Sequence, residues 1–253
     1  MRDGDAHLLT DPLLTDRVAH LTRRRGTAPE DLSRIDAVLV SHLHHDHCHL
    51  PSLRRLPPGT LVVLPRGGGG LLRTLPLDLH EVVAGDRVGV SGVQVEVVHA
   101  VHDGRRHPGS SWRGPALGFV VAGAARTWFA GDTGPADLLG RDAGSVDLAL
   151  LPVGGWGPVS RAGTHGQHLD PRQAAEVARR VHARVAIPVH YGTMWPTGLR
   201  AHRHPAFLTP GRHFAEEAAR IAPLLDVRVL DPGTSLRWEP PQRRSGDGDD
   251  DRG

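Results

Sequence analysis

The chain contains no lysine. All 30 of its basic side chains are arginine, set against 28 acidic ones, for a formal net charge of +2. The surplus is small, and the arginines cluster separately at Arg23-Arg24-Arg25, Arg105-Arg106 and Arg179-Arg180. That is not the continuous basic stripe with aromatic platforms that nucleic-acid binding requires, so no nucleic acid is expected as partner. The single cysteine, Cys48, excludes an internal disulfide and fits a reducing, cytoplasmic compartment. No stretch approaches the roughly 20 apolar residues of a membrane span. The N-terminus lacks the charged-then-apolar pattern of a secretory signal. Aromatic residues are scarce, whereas glycine (31) and proline (21) abound, which points to many turns and short elements. Such a chain suits a strand-rich layered fold better than a helical bundle, and its 253 residues suffice for a sizeable core.

Hydrophobic patterning divides the chain into short strands. Ala37–Val40 is an apolar run bounded by polar residues, the mark of a buried strand. Thr60–Leu64 reads the same way. Residues 79–98 alternate around Gly85-Asp86 and Gly92, which predicts a β-meander with glycine turns. Leu117–Ala122 and Arg126–Ala130 form a predicted strand pair. Val146–Leu151 and Val185–Val189 are further buried strands, and Val227–Leu230 is the last. Between the two buried strands, Asp170 can cap a helix and Pro171 suits its first turn. Ala174, Ala175, Val177, Ala178 and Val181 then make an apolar stripe at helical spacing. Arg212–Ile221 is a second amphipathic helix, Pro51–Leu56 a short one, and Arg17–Thr22 a helical turn. The run Arg66-Gly67-Gly68-Gly69-Gly70 lacks the Gly-Lys-Ser/Thr ending of a phosphate-binding loop and reads as a turn before a helix. Residues 1–238 are read as one domain. Residues 239–253, rich in Pro, Arg, Gly and Asp, have nothing to bury and read as a disordered tail.

Directly after the Ala37–Val40 strand stands His42-Leu43-His44-His45-Asp46-His47. It packs four metal-competent side chains, His42, His44, Asp46 and His47, into six positions of one loop. Neutral imidazole and carboxylate are ligands that a borderline cation such as zinc accepts. One ion cannot readily use all four, because side chains so close in sequence diverge, but two neighbouring ions can share them. Three more candidates each follow a predicted strand: His102 (with His99 as its rival), Asp132 in Gly131-Asp132-Thr133, and His190 before Tyr191. Cys48 directly follows His47 in the chain, and neighbours in the chain tend to diverge, so it is read as a non-ligand.

The string His42-x-His44-x-Asp46-His47 resembles the signature of the metallo-β-lactamase-fold hydrolases, and Gly131-Asp132-Thr133 resembles their bridging carboxylate. The resemblance extends from Leu8 to about Trp238. It implies an α/β fold, a four-layer αββα sandwich. It also implies a dinuclear centre, with His42, His44 and His102 on one ion, Asp46, His47 and His190 on the other, and Asp132 between them. His102 is favoured over His99 because its context resembles the Pro-Ala-x-His phrase of relatives, although His99 stands where they have proline. The metals implied are two divalent ions, zinc by default, with manganese or iron also suited to the donors. A hydroxide held between them would attack a carbonyl carbon or a phosphorus, with Asp46 both ligating and orienting it.

Gln167-His168-Leu169-Asp170-Pro171 resembles a phrase of the ascorbate phosphate lactonase-like and N-acyl phosphatidylethanolamine phospholipase D-like branches. There the histidine faces the metals without ligating them, which gives His168 a catalytic role as oxyanion stabiliser or leaving-group acid. His165 is a weaker rival. Trp156, Tyr191, His202 and His204 could border the same cleft. The function implied is hydrolysis of a small-molecule lactone, ester or phosphodiester. The rivals are a nuclease of the same fold and a non-catalytic metal-binding protein. In relatives the segment equivalent to Leu8–Thr15 follows a β-hairpin. Only seven residues precede it here, so the sheet is expected to lack that first hairpin or the gene start to lie further upstream.

Overall fold

The computed structural model describes residues 1–29, 31–135, 139–154, 168–197 and 205–239. The chain opens with a hairpin, β1 (Arg2–Asp3) against β2 (Ala6–Thr10), and a smaller one follows, β3 (Arg17–Val18) against β4 (Leu21–Arg23). Next come β5 (Ala37–Leu39), α1 (Leu50–Leu53), β6 (Leu61–Pro65), α2 (Gly69–Leu72) and β7 (Asp78–Val82). Parallel pairing of β2, β5, β6 and β7 gives a five-stranded sheet in the order β1-β2-β5-β6-β7.

The second sheet begins with β8 (Arg87–Val90), β9 (Val93–His99), β10 (Leu117–Ala122), β11 (Arg126–Phe129) and β12 (Leu148–Pro152). Helix α3 (Pro171–Arg180) leads into β13 (Val185–Val189), and β14 (Met194–Pro196) follows. Helices α4 (Pro205–Leu208) and α5 (Pro210–Ile221) precede β15 (Asp226–Val227). Seven strands pair in the order β15-β13-β12-β11-β10-β9-β8, while β14 joins β4 and β3 in a separate three-stranded sheet.

Alternation along the strands sorts side chains into layers, because successive residues point to opposite faces. Leu39 and Val63 of the first sheet meet Val97, Phe119 and Phe129 of the second in the central core. Their neighbours Val38 and Val62 turn outward onto Leu53 and Leu72 of the short helices. Val98, Val120 and Trp128 turn outward onto Ala174, Val177 and Phe214 of α3 and α5. The result is the four-layer αββα sandwich. Helix α3 starts where the Asp170 side chain accepts a hydrogen bond from the backbone N–H of Gln173 (2.8 Å) and the Gln173 side-chain oxygen accepts one from the backbone N–H of Asp170 (3.0 Å), a complete capping box.

Four local expectations differ from the structure. The edge expected to lack a hairpin carries a short one, β1 and β2, whose turn includes Gly4 at φ 57°. Arg17–Thr22 is not a helical turn but most of the β3–β4 hairpin, with Ala19 in the left-handed region (φ 48°) at its bend. The meander of residues 79–98 is split: β7 pairs in parallel with β6 in the first sheet, and the chain then crosses to the second, where β8 and β9 pair. The last strand pairs only over Asp226–Val227, against Val185–Ala186. Alternation predicts that residues are extended but not which partner they find, and apart from the Arg17–Thr22 turn these are differences of pairing.

Candidate metal centre

β2, β5, β9, β11 and β13 each hand the chain to a loop bearing one or more of Asp11, His42–His47, His102, Asp132 and His190. The pairing directions point the ends of the last three strands the same way. Leu117 N donates to Ser41 O (2.9 Å), which ties the signature loop to the second sheet. Two of these positions take left-handed backbone that side chains avoid, Asp11 at φ 40° and His190 at φ 63°. Strain of this kind costs about 1–3 kcal/mol per residue and collects at functional sites. A Cβ on Gly154 would overlap the carbonyl oxygen of His190, so glycine there lets the His190 loop close against the end of β12.

The ligand atoms converge in two groups. His44 Nδ1 lies 2.9 Å from His42 Nε2 and 3.2 Å from His102 Nε2. On the other side, His47 Nε2 lies 3.5 Å from Asp46 Oδ2 and 3.2 Å from Asp132 Oδ2. His190 Nε2 lies 3.7 and 3.3 Å from the same two oxygens. A tetrahedral zinc ion with bonds of about 2.0–2.1 Å holds neighbouring ligand atoms about 3.3 Å apart. The separations therefore suit a cation at the centre of each group. Buried His47 Nε2, Asp132 Oδ1, His168 Nδ1 and His190 Nδ1 also have no hydrogen-bond partner among the described residues. Buried polar atoms without partners are costly, and a cation satisfies those that ligate it.

The electrostatics of the two groups differ. Burial, reinforced by neighbouring imidazoles, holds His42 well below its usual range and His44 at about 4, so both offer neutral nitrogens. Burial by itself would lower His47 and His190 too. The carboxylates of Asp132 and Asp46 overcome it, with Asp11 adding to the effect on His47, and raise both. Burial would raise Asp46 and Asp132, but the same two histidines pull both carboxylates well below their usual range. The second group is thus an ion-pair cluster whose protons occupy the place of a cation.

Asp11, which the motif reading passed over, fixes this cluster. Its carboxylate accepts hydrogen bonds from His47 Nδ1 (2.6 Å), Ser41 Oγ (2.5 Å) and Ser41 N (2.7 Å). A carboxylate on one ring nitrogen leaves the other nitrogen's lone pair free for a metal. The available signal was position, since Asp11 directly follows β2, much as Asp132 lies three residues past the end of β11.

His168 stands over the centre from the entry to α3, its Nδ1 3.7 Å from Asp132 and its ring 4.9 Å from that of His102. Burial lowers it to about 4, so it is neutral at pH 7. His99 is not part of the site: its ring is 80% exposed and pairs with Asp142 at 2.9 Å. His45 and His49 also lie apart, on Arg106 and Ser52 respectively. Cys48 is buried and its thiol is pushed up to about 11, an inert group.

Arg106, another residue the motif reading passed over, is buried, and its guanidinium donates to the carbonyls of Leu43 and Cys48. It fastens the loop that carries His102 to the signature loop. The glycine run explains itself here, because a Cβ on Gly67 would strike Arg113 O and one on Gly70 the Trp112 ring. These glycines seat the 103–116 loop. Tyr191 borders the cavity beside His190. Trp156, His165, His202 and His204 lie outside the described residues, as does most of the tail.

With this geometry established, comparison with known proteins is direct. A family model described as Beta-lactamase superfamily domain matches residues 7–191. N-acyl-phosphatidylethanolamine-hydrolyzing phospholipase D 1 of Caenorhabditis elegans is 30% identical over 248 residues, covering 87% of this chain, which spans 65% of that relative's length. A UPF0173 metal-dependent hydrolase of Nitratidesulfovibrio vulgaris is 30% identical over 246 residues, with 92% of this chain and 88% of the relative covered. Among solved structures, Igni18, a metallo hydrolase of Ignicoccus hospitalis, superposes with a TM-score of 0.67 at 21% identity over 92% of this chain and 91% of its own, a likeness of fold.

Proposed function

Because the chain belongs to the metallo-β-lactamase superfamily and is a metal-dependent hydrolase, we propose that His42, His44 and His102 hold one divalent cation, Asp46, His47 and His190 a second, and that Asp132 bridges the two. The observation that carries this reading is the convergence of two ligand sets, spaced at 2.9–3.2 Å and 3.2–3.7 Å, with Asp132 within reach of both. When bound, such a pair acidifies a shared water and polarises the oxygen of a carbonyl or phosphoryl group. Zinc suits the imidazole and carboxylate donors, as do manganese and iron.

The chain's own residues divide the remaining work. Asp11 keeps His47 in the tautomer that leaves Nε2 free. Asp46, at the cavity, accepts a hydrogen bond from the attacking water and aims it. His168, neutral, donates its N–H to the negative charge that develops on the substrate's oxygen. The substrate is a small molecule cut at a lactone, ester or phosphodiester bond. The name of the worm relative, a phospholipase D, supports including the phosphodiester. The lone, buried Cys48 agrees with a reducing cytoplasm.

The test is metal analysis of the purified protein together with a panel of lactone, carboxylic ester and phosphodiester substrates. Two equivalents of metal and chelator-sensitive turnover of one class are expected. Turnover that survives chelation, or a protein that takes up no divalent cation, would overturn the proposal.

A further inference from the structure

The cavity beside the metal centre encloses about 640 Å³, and one of its walls has no part in the chemistry above. The metal-facing end is formed by His44, Asp46, His47, Asp132, His168 and His190. Another part of the lining comes from β4 and β14, paired so that Arg23 lies opposite Met194 and Leu21 opposite Pro196. Successive side chains on a strand face opposite ways. Leu21, Arg23, Met194 and Pro196 therefore share one face, and all four line the cavity, whereas Thr22 and Trp195 do not. Leu13 and Phe207 extend this lining.

The wall is fixed relative to the centre. β4 lies a short way after Asp11 and β14 just after His190, and Arg24 N donates to Thr193 O (2.8 Å) to bind the two segments together. Arg23 brings the only cationic guanidinium among the described residues lining the cavity. Its Nη2 is spent on the carbonyls of Leu13 (2.5 Å) and Thr15 (3.2 Å), and Asp16 lies 3.3 Å from its Nε. Its Nη1 makes no hydrogen bond among the described residues, although the side chain is only 11% exposed. A sheltered guanidinium with a free donor, standing at the edge of an apolar surface, is equipped to bind an anionic oxygen.

Building on the hydrolase reading, we infer that the β4–β14 face selects the substrate. It favours a molecule with an apolar segment of several carbons next to the scissile group, seated on Leu21, Met194 and Pro196, and a carboxylate beyond it for Arg23.

Straight-chain carboxylates test this on the zinc-loaded, full-length protein by calorimetric titration, since their head group is a ligand for the cations. From acetate to hexanoate, affinity is expected to rise up to about fourfold per added methylene, the equivalent of ~0.8 kcal/mol for each buried CH₂. The hexanoate-to-acetate ratio is expected to shrink in Leu21→Ser and in Met194→Gln, the second variant standing in if the first fails to fold. Adipate, with its second carboxylate, is expected to bind about tenfold more tightly than hexanoate, and that gain should vanish in Arg23→Leu. Acetate binding with no dependence on chain length would overturn the inference and leave the metal reading intact. Equal binding of adipate and hexanoate would remove Arg23 from it. No carboxylate binding at all, acetate included, would overturn the inference, whereas a protein that cannot be loaded with zinc would overturn the metal reading beneath it.

Discussion

Asp11→Asn changes one buried oxygen to nitrogen in the metal centre and reaches the metals only through His47. In the native protein the Asp11 carboxylate accepts the Nδ1–H hydrogen bond of His47 at 2.6 Å, so that the proton shed on metal binding leaves from Nε2. It also receives the Ser41 hydroxyl and backbone N–H at 2.5 and 2.7 Å. Asparagine keeps one acceptor, enough for Ser41 N, but can offer its NH₂ group to His47. His47 Nδ1 must then accept, the proton moves to Nε2, and that nitrogen can no longer ligate. Loss of an outer carboxylate of this kind typically reduces metal affinity by about 10–100-fold, or ~1.4–2.8 kcal/mol. The effect should fall on one ion, the one held by Asp46, His47 and His190, leaving the His42–His44–His102 ion bound. Competition with a chromophoric chelator, read as two separate binding steps, measures this. Asp11→Ala is the harsher control, because it also strands the buried Ser41 N–H at a further cost of about 1–3 kcal/mol in stability. A folded Asp11→Asn protein that holds both ions at native affinity would refute the reasoning.

The other predictions are shorter. His102→Ala should lose one metal equivalent and all turnover, whereas His99→Ala, which removes only an exposed pair with Asp142, should change stability by no more than about 0.5 kcal/mol and leave metal content intact; elemental analysis of the two variants decides it. His168→Ala should retain both metals and lose about 10²–10³-fold in kcat, the usual cost of one oxyanion donor; loss of metal would make His168 a ligand. Metal uptake should release protons, because His47 and His190 are raised in the metal-free protein and must shed a proton to ligate, while His42 and His44 are already neutral. Binding enthalpy should therefore depend on the ionisation enthalpy of the buffer for one ion only, and affinity for that ion should climb as pH rises through neutrality. Raised histidines stabilise the metal-free fold fully below their unfolded pKa near 6.5 and lose that contribution as pH rises through the folded value. The gap in Tm between loaded and metal-free protein should widen toward alkaline pH, and a gap that narrows would contradict the assignment.

The ligand cluster was legible in the sequence because its chemistry is local. Four metal-competent side chains sit in six consecutive positions behind one apolar run, and the remaining candidates each close a strand of their own. The same holds for α3, where cap, proline and apolar stripe agree and the structure shows all three. Choosing between His99 and His102 was different, since His99 ends β9 and His102 lies three residues beyond it. The choice depends on where the chain turns after the strand. Val101 N donates to Thr133 Oγ1 (2.9 Å) and Gly134 N to Val101 O (2.7 Å), contacts that swing the chain inward just before His102. Those partners lie more than thirty residues away, and no local pattern announces them.

The residues that escaped the reading share one property: each acts on another residue rather than on a ligand. Asp11 hydrogen-bonds His47, and Arg106 fastens the loop that carries His102 to the signature loop. Residue type advertises metal chemistry, but it does not advertise support, because any carboxylate, guanidinium or glycine can serve if the fold brings it there. The β3–β4–β14 sheet follows the same logic. Its strands are two or three residues long, too short for alternation to register, and β4 pairs with β14 across most of the chain, Arg23 with Met194. The first of those strands and most of the second were read as a helical turn, Arg17–Thr22. On the inference above, β4 and β14 bring Leu21 and Arg23 to the cavity lining, so the choice of substrate would depend on a long-range pairing. On the proposed reading, four of the seven ligands sit in one short stretch of sequence, whereas selectivity would rest on pairings that only the folded topology creates.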